Sequence, residues 1–207
     1  MILNIDPKND YIFKKLFGSE ENHSLLMNLL QAVLTQYLTS PIQSVEILNP
    51  FNEKDGLNDK LSVLDIKARD QSGKQFNVEM QLFPHRSYPE RALYYWARLY
   101  HQQLHEGEDY SKLKTTFVIS FVDFILFPKV ADYHLDFQLL SKKHPELVFS
   151  SQLNLHLIEL PKFRLAVNEV STPLEQWCYF LRHGMNFETT ALPETLKAPE
   201  IKNPWRS

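Results

Sequence analysis

Two alternating strand patterns, separated by a short polar turn, constrain this chain more than any other feature. Residues 61–69 (LSVLDIKAR) and 74–83 (KQFNVEMQLF) largely alternate apolar and polar side chains, as half-buried strands do. Gly73 lies between them, and glycine readily adopts the left-handed conformation that the last position of a three-residue hairpin loop requires. The sequence therefore predicts an antiparallel hairpin with residues 71–73 as its loop.

The loop determines which residues of the two strands face each other. With this loop Asp70 faces Lys74, and further along the strands Asp65 faces Glu79. Facing residues direct their side chains to the same side of the sheet, with Cβ atoms ~5 Å apart. A register shifted by one residue would mix polar and apolar partners, so the pattern selects this one. The polar face then holds Asp65, Lys67, Asn77, Glu79 and Gln81, and the apolar face holds Leu64, Ile66, Ala68, Phe76, Val78, Met80 and Leu82.

The opposed acids Asp65 and Glu79 are the main candidate for chemistry. Two facing carboxylates repel each other unless a cation or a proton lies between them. Mg²⁺ binds one or two carboxylates and fills its other positions with water and phosphate oxygens, so the pair predicts a Mg²⁺ site, with Mn²⁺ as a second candidate ion. Such an ion can polarise a phosphodiester and deprotonate a bound water. The alternative is a solvated hairpin face on which Lys67 or Arg69 screens the acids.

The other patterns predict one mixed α/β domain. We expect this domain to cover residues 1–190 and a loosely packed tail to cover residues 191–207, which contain three prolines. The predicted helices cover about residues 10–18, 19–39, 87–106 and 174–182. The further predicted strands lie near Val45 and Ile47, with Phe51 as an uncertain member, and over residues 115–121, 134–139 and 153–160.

The predicted helix over residues 87–106 carries a basic and aromatic stripe. Arg91, Tyr94 and Arg98 recur at helical spacing, which suits contact with phosphates and stacking on bases. The alternative is an ordinary solvated helix face. His101 and His105 are four residues apart and would suit Zn²⁺ on one helical face, but no HExxH glutamate or third ligand accompanies them.

Composition excludes several classes of protein. The five glycines lie too far apart for a GxGxxG turn or a P-loop. The single cysteine, Cys178, excludes an internal disulfide framework, and its aromatic neighbours predict a buried, inert thiol. No apolar run reaches the ~20 residues of a membrane span and no secretory signal is visible, so we expect a cytoplasmic protein without membrane contact. The formal net charge of −3 does not by itself indicate nucleic-acid binding.

The hairpin residues resemble a known nuclease core. Asp65, followed fourteen residues later by Glu79-Met80-Gln81 on the adjacent strand, is similar to the PD-(D/E)XK core. The whole chain, over about residues 6–183, more specifically resembles the Rpn family of bacterial recombination-promoting nucleases and putative transposases. The motifs that carry this resemblance are, in order, DYIFKKLFG from Asp10, KLSVLDI from Lys60, VEMQ from Val78, ERALYYWARLY from Glu90, QLHEGEDY from Gln103, and Trp177 with Phe180 and Leu181.

The resemblance implies both a fold and an activity. It implies a restriction-endonuclease-like mixed central sheet flanked by helices, and metal-dependent cleavage of DNA in recombination or mobile-element biology. Asp65 and Glu79 match the acids that bind the metal in the family. Gln81 stands where the wider superfamily usually has lysine, and a glutamine can orient a water or a phosphate but supplies no charge.

Other residues are expected to complete such a site. Lys67, or less directly Lys60, is expected to replace the missing lysine charge. The resemblance also implies a supporting role for Asp10 and Lys14, which the residues alone would interpret as a surface pair one helical turn apart, and it adds weight to Arg91 as a DNA contact. Two alternatives stay open: a catalytically inactive nuclease-fold module that binds DNA or protein, and a homo-oligomeric interaction protein that uses its aromatic surface.

Overall fold

A hairpin and a helical crossover build the centre of a six-stranded sheet. The computed structural model describes residues 6–49 and 65–184. The helices in these ranges are α1 (Asp10–Gly18), α2 (His23–Leu34), α3 (Tyr88–His101) and α4 (Pro173–His183). The strands are β1 (Val45–Ile47), β2 (Asp65–Asp70), β3 (Gln75–Gln81), β4 (Thr116–Val122), β5 (His134–Leu140) and β6 (Val148–Glu159). None of these helices is both long and apolar enough to cross a membrane.

The sheet is mixed, as predicted. Its order is β1-β2-β3-β4-β6-β5, with parallel pairing between β3 and β4 and between β4 and β6, and antiparallel pairing elsewhere. Parallel neighbours need a crossover connection, and α3 provides it between β3 and β4. The predicted restriction-endonuclease-like sheet flanked by helices is therefore confirmed.

The β2–β3 hairpin has the predicted loop and register. Gly73 has a φ of 86°, and the Asp70 carboxylate accepts hydrogen bonds from the backbone N–H groups of Ser72 and Lys74, each at 2.9 Å. These bonds hold the loop closed. As a result Asp65 pairs with Glu79 across the two strands.

Helices α1, α2 and α4 cover the apolar face of the sheet. The Phe13 ring of α1 lies 6.3 Å from the Phe121 ring of β4, and the Phe17 ring lies 5.4 Å from the Trp177 ring of α4. The Trp177 indole N–H donates to the Asn28 side chain of α2 at 2.8 Å, which joins these three helices. All of the apolar hairpin residues from Ile66 to Met80 are buried in this layer.

Helix α3 covers the opposite, polar face of the hairpin. Glu79 is only 5% exposed, so the solvated-face alternative is wrong for this residue. Arg69, which that alternative assigned to screening the acids, is instead paired with Glu46 of β1 at 2.7 Å. On β3 the polar face is thus buried at Asn77 and Glu79, whereas Arg69 on β2 is exposed.

Four predicted boundaries need correction. Helix α2 ends at Leu34 rather than near residue 39, because the backbone N–H groups of Tyr37 and Leu38 both donate to the Leu34 carbonyl and close a turn there. Helix α3 ends at His101 rather than near residue 106, because the Gln103 side chain bonds the backbone of Lys114 in the following loop. Ser19 does not cap a helix that starts there, since its hydroxyl donates to the Lys15 carbonyl at 2.6 Å and α2 begins only at His23. Strand β6 starts at Val148, earlier than expected, because it pairs with β5. Phe51 and the boundary expected near residue 190 lie outside the described residues.

Candidate active site

The paired positions Asp65 and Glu79 lie at the first residue of β2 and near the last residue of β3. On its other side Glu79 pairs with Ser120 of β4, which is parallel to β3. Three adjacent strands therefore present a row of polar residues at one level of the sheet. This row is the centre of the candidate site.

Two hydroxyl groups hold the Glu79 carboxylate in place. Its Oε1 atom accepts a hydrogen bond from the Tyr88 hydroxyl at 3.0 Å and another from the Ser120 hydroxyl at 2.9 Å. A buried carboxylate without such donors would lose several kcal/mol of solvation, so these bonds make its burial tolerable. They also fix the rotation of the carboxylate, because both donors bind the same oxygen.

Tyr88 is a donor that stays protonated. Burial raises the pKa of its phenol well above the usual value, and the neighbouring negative charge of Glu79 raises it further. Tyr88 is 2% exposed and lies in the first turn of α3. The start of the crossover helix is thereby tied to the acid on β3.

Arg91 approaches the site from the same helix. Its Nη2 atom donates a short hydrogen bond to Oε1 of Gln81 and lies 3.9 Å from Oε2 of Glu79. The guanidinium carbon lies 5.2 Å from the centre of the Tyr88 ring and 5.9 Å from that of Tyr95, so two aromatic rings hold the cation. Gln81 in turn donates from Nε2 to the Phe83 carbonyl at 3.3 Å.

Asn77 adds an unsatisfied amide to the same face. It is 1% exposed, and neither atom of its side-chain amide has a hydrogen-bond partner among the described residues. A buried polar group without a partner costs about 1–3 kcal/mol. The polar face therefore carries a cost that packing alone does not explain.

The structure separates the predicted DNA-contact stripe into two parts. The Arg91 side chain is 27% exposed and points to the polar face, whereas Tyr94 is 63% exposed and Arg98 is also exposed. Tyr94 and Arg98 thus lie on the outer surface of α3. Among these three residues, Arg91 is the one whose contacts join it to Glu79.

The other predicted site residues are more dispersed. Lys67 pairs with Asn77 in the hairpin, one side-chain level from Asp65 on the same strand. Asp10 and Lys14 lie on α1, which packs against the face of the sheet opposite to Glu79, so the structure does not bring them to the polar face. Partial burial raises the pKa of the Asp10 carboxyl. Lys60 lies outside the described residues.

Sequence reasoning missed Tyr88 and Ser120 as partners of the acid. Ser120 is a polar residue within the otherwise apolar run of β4, and the strand pattern by itself gives it no role. A small hydroxyl in a fully buried strand needs a partner, and that requirement was the available signal. Tyr88 carried no comparable signal, because its contact depends on how α3 crosses the sheet.

A comparison with protein families decides the relationship of this chain. A family model described as PD-(D/E)XK nuclease family transposase matches residues 7–204 of the 207 residues. The chain belongs to this family. Neither the comparison with curated proteins nor that with solved structures gives a match.

Membership in the PD-(D/E)XK nuclease family transposases supports a nuclease role and confirms the resemblance seen in the motifs. Nucleases of this superfamily typically use divalent metals. Asp65 and Glu79 fit that use, because they are two hard oxygen donors at paired positions, and Mg²⁺ takes its remaining ligands from water and substrate. Among the described residues, no group of three or more His, Cys, Asp or Glu side chains could hold a metal.

The other nucleophile and metal candidates find no support in the described part of the chain. His105 lies beyond the end of α3, so it does not share a helical face with His101. Cys178 is buried, and burial raises the pKa of its thiol, which agrees with an inert core residue.

Proposed function

We propose that this protein is a Mg²⁺-dependent DNA endonuclease that hydrolyses phosphodiester bonds, with Mn²⁺ as an alternative ion. The observation that carries the proposal is a buried glutamate, Glu79, held by two hydroxyl donors directly across the hairpin from Asp65. Burying an acid beside a second acid is costly even when hydroxyl donors and a nearby guanidinium compensate the charge, and such costly buried acids cluster at functional sites. Family membership supports nuclease chemistry as that function.

Asp65 and Glu79 would hold the ion. When bound, the ion supplies charge that polarises the phosphodiester and lowers the pKa of a water. Tyr88 and Ser120 orient Glu79 by donating to one of its oxygens. Gln81 orients the attacking water through its side-chain amide.

Other residues are proposed to bind the DNA or to support the site. Lys67 and Lys60 are proposed as cations near the scissile phosphate. Asp10 and Lys14 are proposed to support the site indirectly, from the opposite face of the sheet, where α1 lies. Tyr94 and Arg98, on the exposed side of α3, would contact the DNA backbone and bases farther from the site. Together with Arg91, these residues are the proposed DNA contacts. A cytoplasmic location and a homo-oligomeric state stay predictions.

A second candidate function is a nuclease-fold module that binds DNA or protein without cleaving it. Gln81 in place of the usual lysine favours this alternative, because a cation that stabilises the phosphate is missing from β3 itself. The approach of Arg91 to Glu79 also supplies a protein counter-charge for the acid.

A plasmid-nicking assay with Mg²⁺ tests the proposal. We expect wild-type protein to nick the plasmid, and Asp65→Ala and Glu79→Ala to lower the rate at least about a hundredfold, because each removes a metal ligand. Glu46→Gln is the matched control, since it neutralises an acid of the same sheet that is paired with Arg69 on an exposed surface. Equal rates in all four proteins would remove the assignment.

Calorimetric titration with Mn²⁺ separates the two candidates. The endonuclease proposal expects one binding event that Asp65→Ala and Glu79→Ala abolish and Glu46→Gln preserves. DNA binding without detectable metal binding and without nicking would support the inactive module.

A further inference from the structure

One guanidinium, that of Arg91, reaches from helix α3 to the polar face of the hairpin. Its Nη2 atom donates to the Gln81 side chain and lies 3.9 Å from Oε2 of Glu79. Gln81 is the position where the wider superfamily usually has lysine. The positive charge that is absent from β3 is therefore present at the same place in space, supplied by a neighbouring element.

We infer that Arg91 is a catalytic residue that takes the part of the missing lysine and stabilises the phosphate during cleavage. This inference rests on the nuclease function proposed above. It differs from a general DNA contact, because it places the guanidinium on the scissile phosphate rather than on the surrounding backbone. It also differs from the expectation that Lys67 or Lys60 supplies the charge.

The contacts of the Arg91 guanidinium hold its charge in a fixed position. The rings of Tyr88 and Tyr95 lie within 6 Å of the guanidinium carbon, and Gln81 accepts a hydrogen bond from Nη2. A preorganised cation in a partly buried site is worth more to a transition state than a mobile surface cation, because little reorganisation is needed during the reaction. By contrast, Arg98 lies exposed on the same helix.

Arg91 also has unused hydrogen-bonding capacity. Its Nε atom is buried and has no partner among the described residues. A guanidinium carries five N–H donors in a planar fork that matches the oxygens of a phosphate. The guanidinium therefore has donors beyond the one that Gln81 accepts, and its side chain is 27% exposed.

The chemistry shows where this charge is needed. Hydrolysis joins the oxygen of a water to phosphorus and breaks the bond from phosphorus to the departing sugar oxygen. The water loses a proton to solvent, and the departing oxygen takes one up. Negative charge builds on the phosphate oxygens as the new bond forms, and a guanidinium on those oxygens lowers the barrier. The contact is thus expected to affect turnover more than ground-state binding of DNA.

Four variants test the inference, each assayed for Mg²⁺-dependent turnover at saturating plasmid. We expect Arg91→Gln to lower turnover about a hundredfold, as loss of a transition-state donor does. Arg91→Lys keeps the charge and should recover at least about tenfold of that loss. Adding Gln81→Lys to Arg91→Gln should recover a similar factor, since it returns the charge to the usual position of the motif. Arg69→Gln removes one exposed positive charge elsewhere on the sheet and should match wild type.

Two further measurements exclude a structural or binding effect. The melting temperature of each variant reports folding, and fluorescence anisotropy with a short duplex, without divalent ions, reports DNA affinity. We expect the affinity of Arg91→Gln to stay within about threefold of wild type. A purely structural role of Arg91 on α3 would not be rescued by a lysine on β3.

The outcomes distinguish the inference from the function beneath it. Wild-type cleavage with unimpaired Arg91→Gln would overturn the role of Arg91 and leave the nuclease proposal standing. Impaired Arg91→Gln with no rescue by Gln81→Lys and an equal loss of DNA affinity would also overturn it. Absence of cleavage by the wild type would overturn both.

Discussion

Both faces of β3 lie beneath helices, yet their side chains need different things from their surroundings. Phe76, Val78 and Met80 on the apolar face are buried against a layer of other apolar groups and require only shape. Asn77 and Glu79 on the polar face are as deeply buried, but each needs a particular partner. Glu79 has its partners, whereas the Asn77 amide has none among the described residues. Packing explains the first face, whereas the second holds a buried acid and an unpaired amide that packing alone does not require.

The largest expected change in the free energy of unfolding comes from a substitution on the apolar face. Phe76 is fully buried and stacks on Phe117 with ring centres 5.4 Å apart, so Phe76→Ala should lower the free energy of unfolding by about 3–5 kcal/mol. Urea denaturation followed by circular dichroism measures this change. Phe83→Ala, at a residue 74% exposed, is the control and should change stability by less than about 0.5 kcal/mol. Equal effects at the two sites would contradict the assignment of Phe76 to the core.

A stabilising substitution is expected on the polar face. Asn77→Leu removes a buried amide without partners and keeps a similar volume, so the free energy of unfolding should rise by about 1–2 kcal/mol. Asn154→Leu is the matched control, because that buried amide bonds Gln138 and Ser151 and its loss should destabilise. Thermal and urea unfolding of both variants measure the difference. A destabilised Asn77→Leu would show that the amide has a partner in solution.

The smallest effect on stability is expected when the hydrogen bond from Tyr88 to Glu79 is removed. Tyr88→Phe removes one of two hydroxyl donors to Glu79, so stability should fall by about 1 kcal/mol and nicking by about tenfold. Tyr110→Phe, at a residue 82% exposed, controls for loss of a phenol. Nicking rates and unfolding curves for both variants test the difference. Unchanged nicking by Tyr88→Phe would mean that Ser120 alone orients the carboxylate.

The hairpin was predictable because its determinants are local. Gly73 marks the loop, and the alternation on either side of it selects the pairing of Asp65 with Glu79. The burial of that polar face was not predictable in the same way. It depends on the path of α3 across the sheet, and a helix pattern indicates which side of the helix is apolar but not what it will cover.

The positions of two arginines on α3 also could not be predicted from the sequence pattern. Arg91 and Arg98 are seven residues apart, two turns along one helix, and the sequence grouped them on one stripe. The structure places the guanidinium of Arg91 against Gln81 and leaves Arg98 exposed. The length and flexibility of an arginine let neighbours decide its direction, so spacing alone could not distinguish the two.

Because β3 and β4 are parallel, the chain must pass through α3 to get from one to the other, and the same helix carries both Tyr88 and Arg91. The helix that connects these two strands thus also positions two side chains of the candidate site. Sliding α3 along its axis by a single turn, about 5.4 Å, would withdraw the phenol from Glu79 and the guanidinium from Gln81 together. Any molecule that displaced this helix would break the Tyr88–Glu79 and Arg91–Gln81 contacts together.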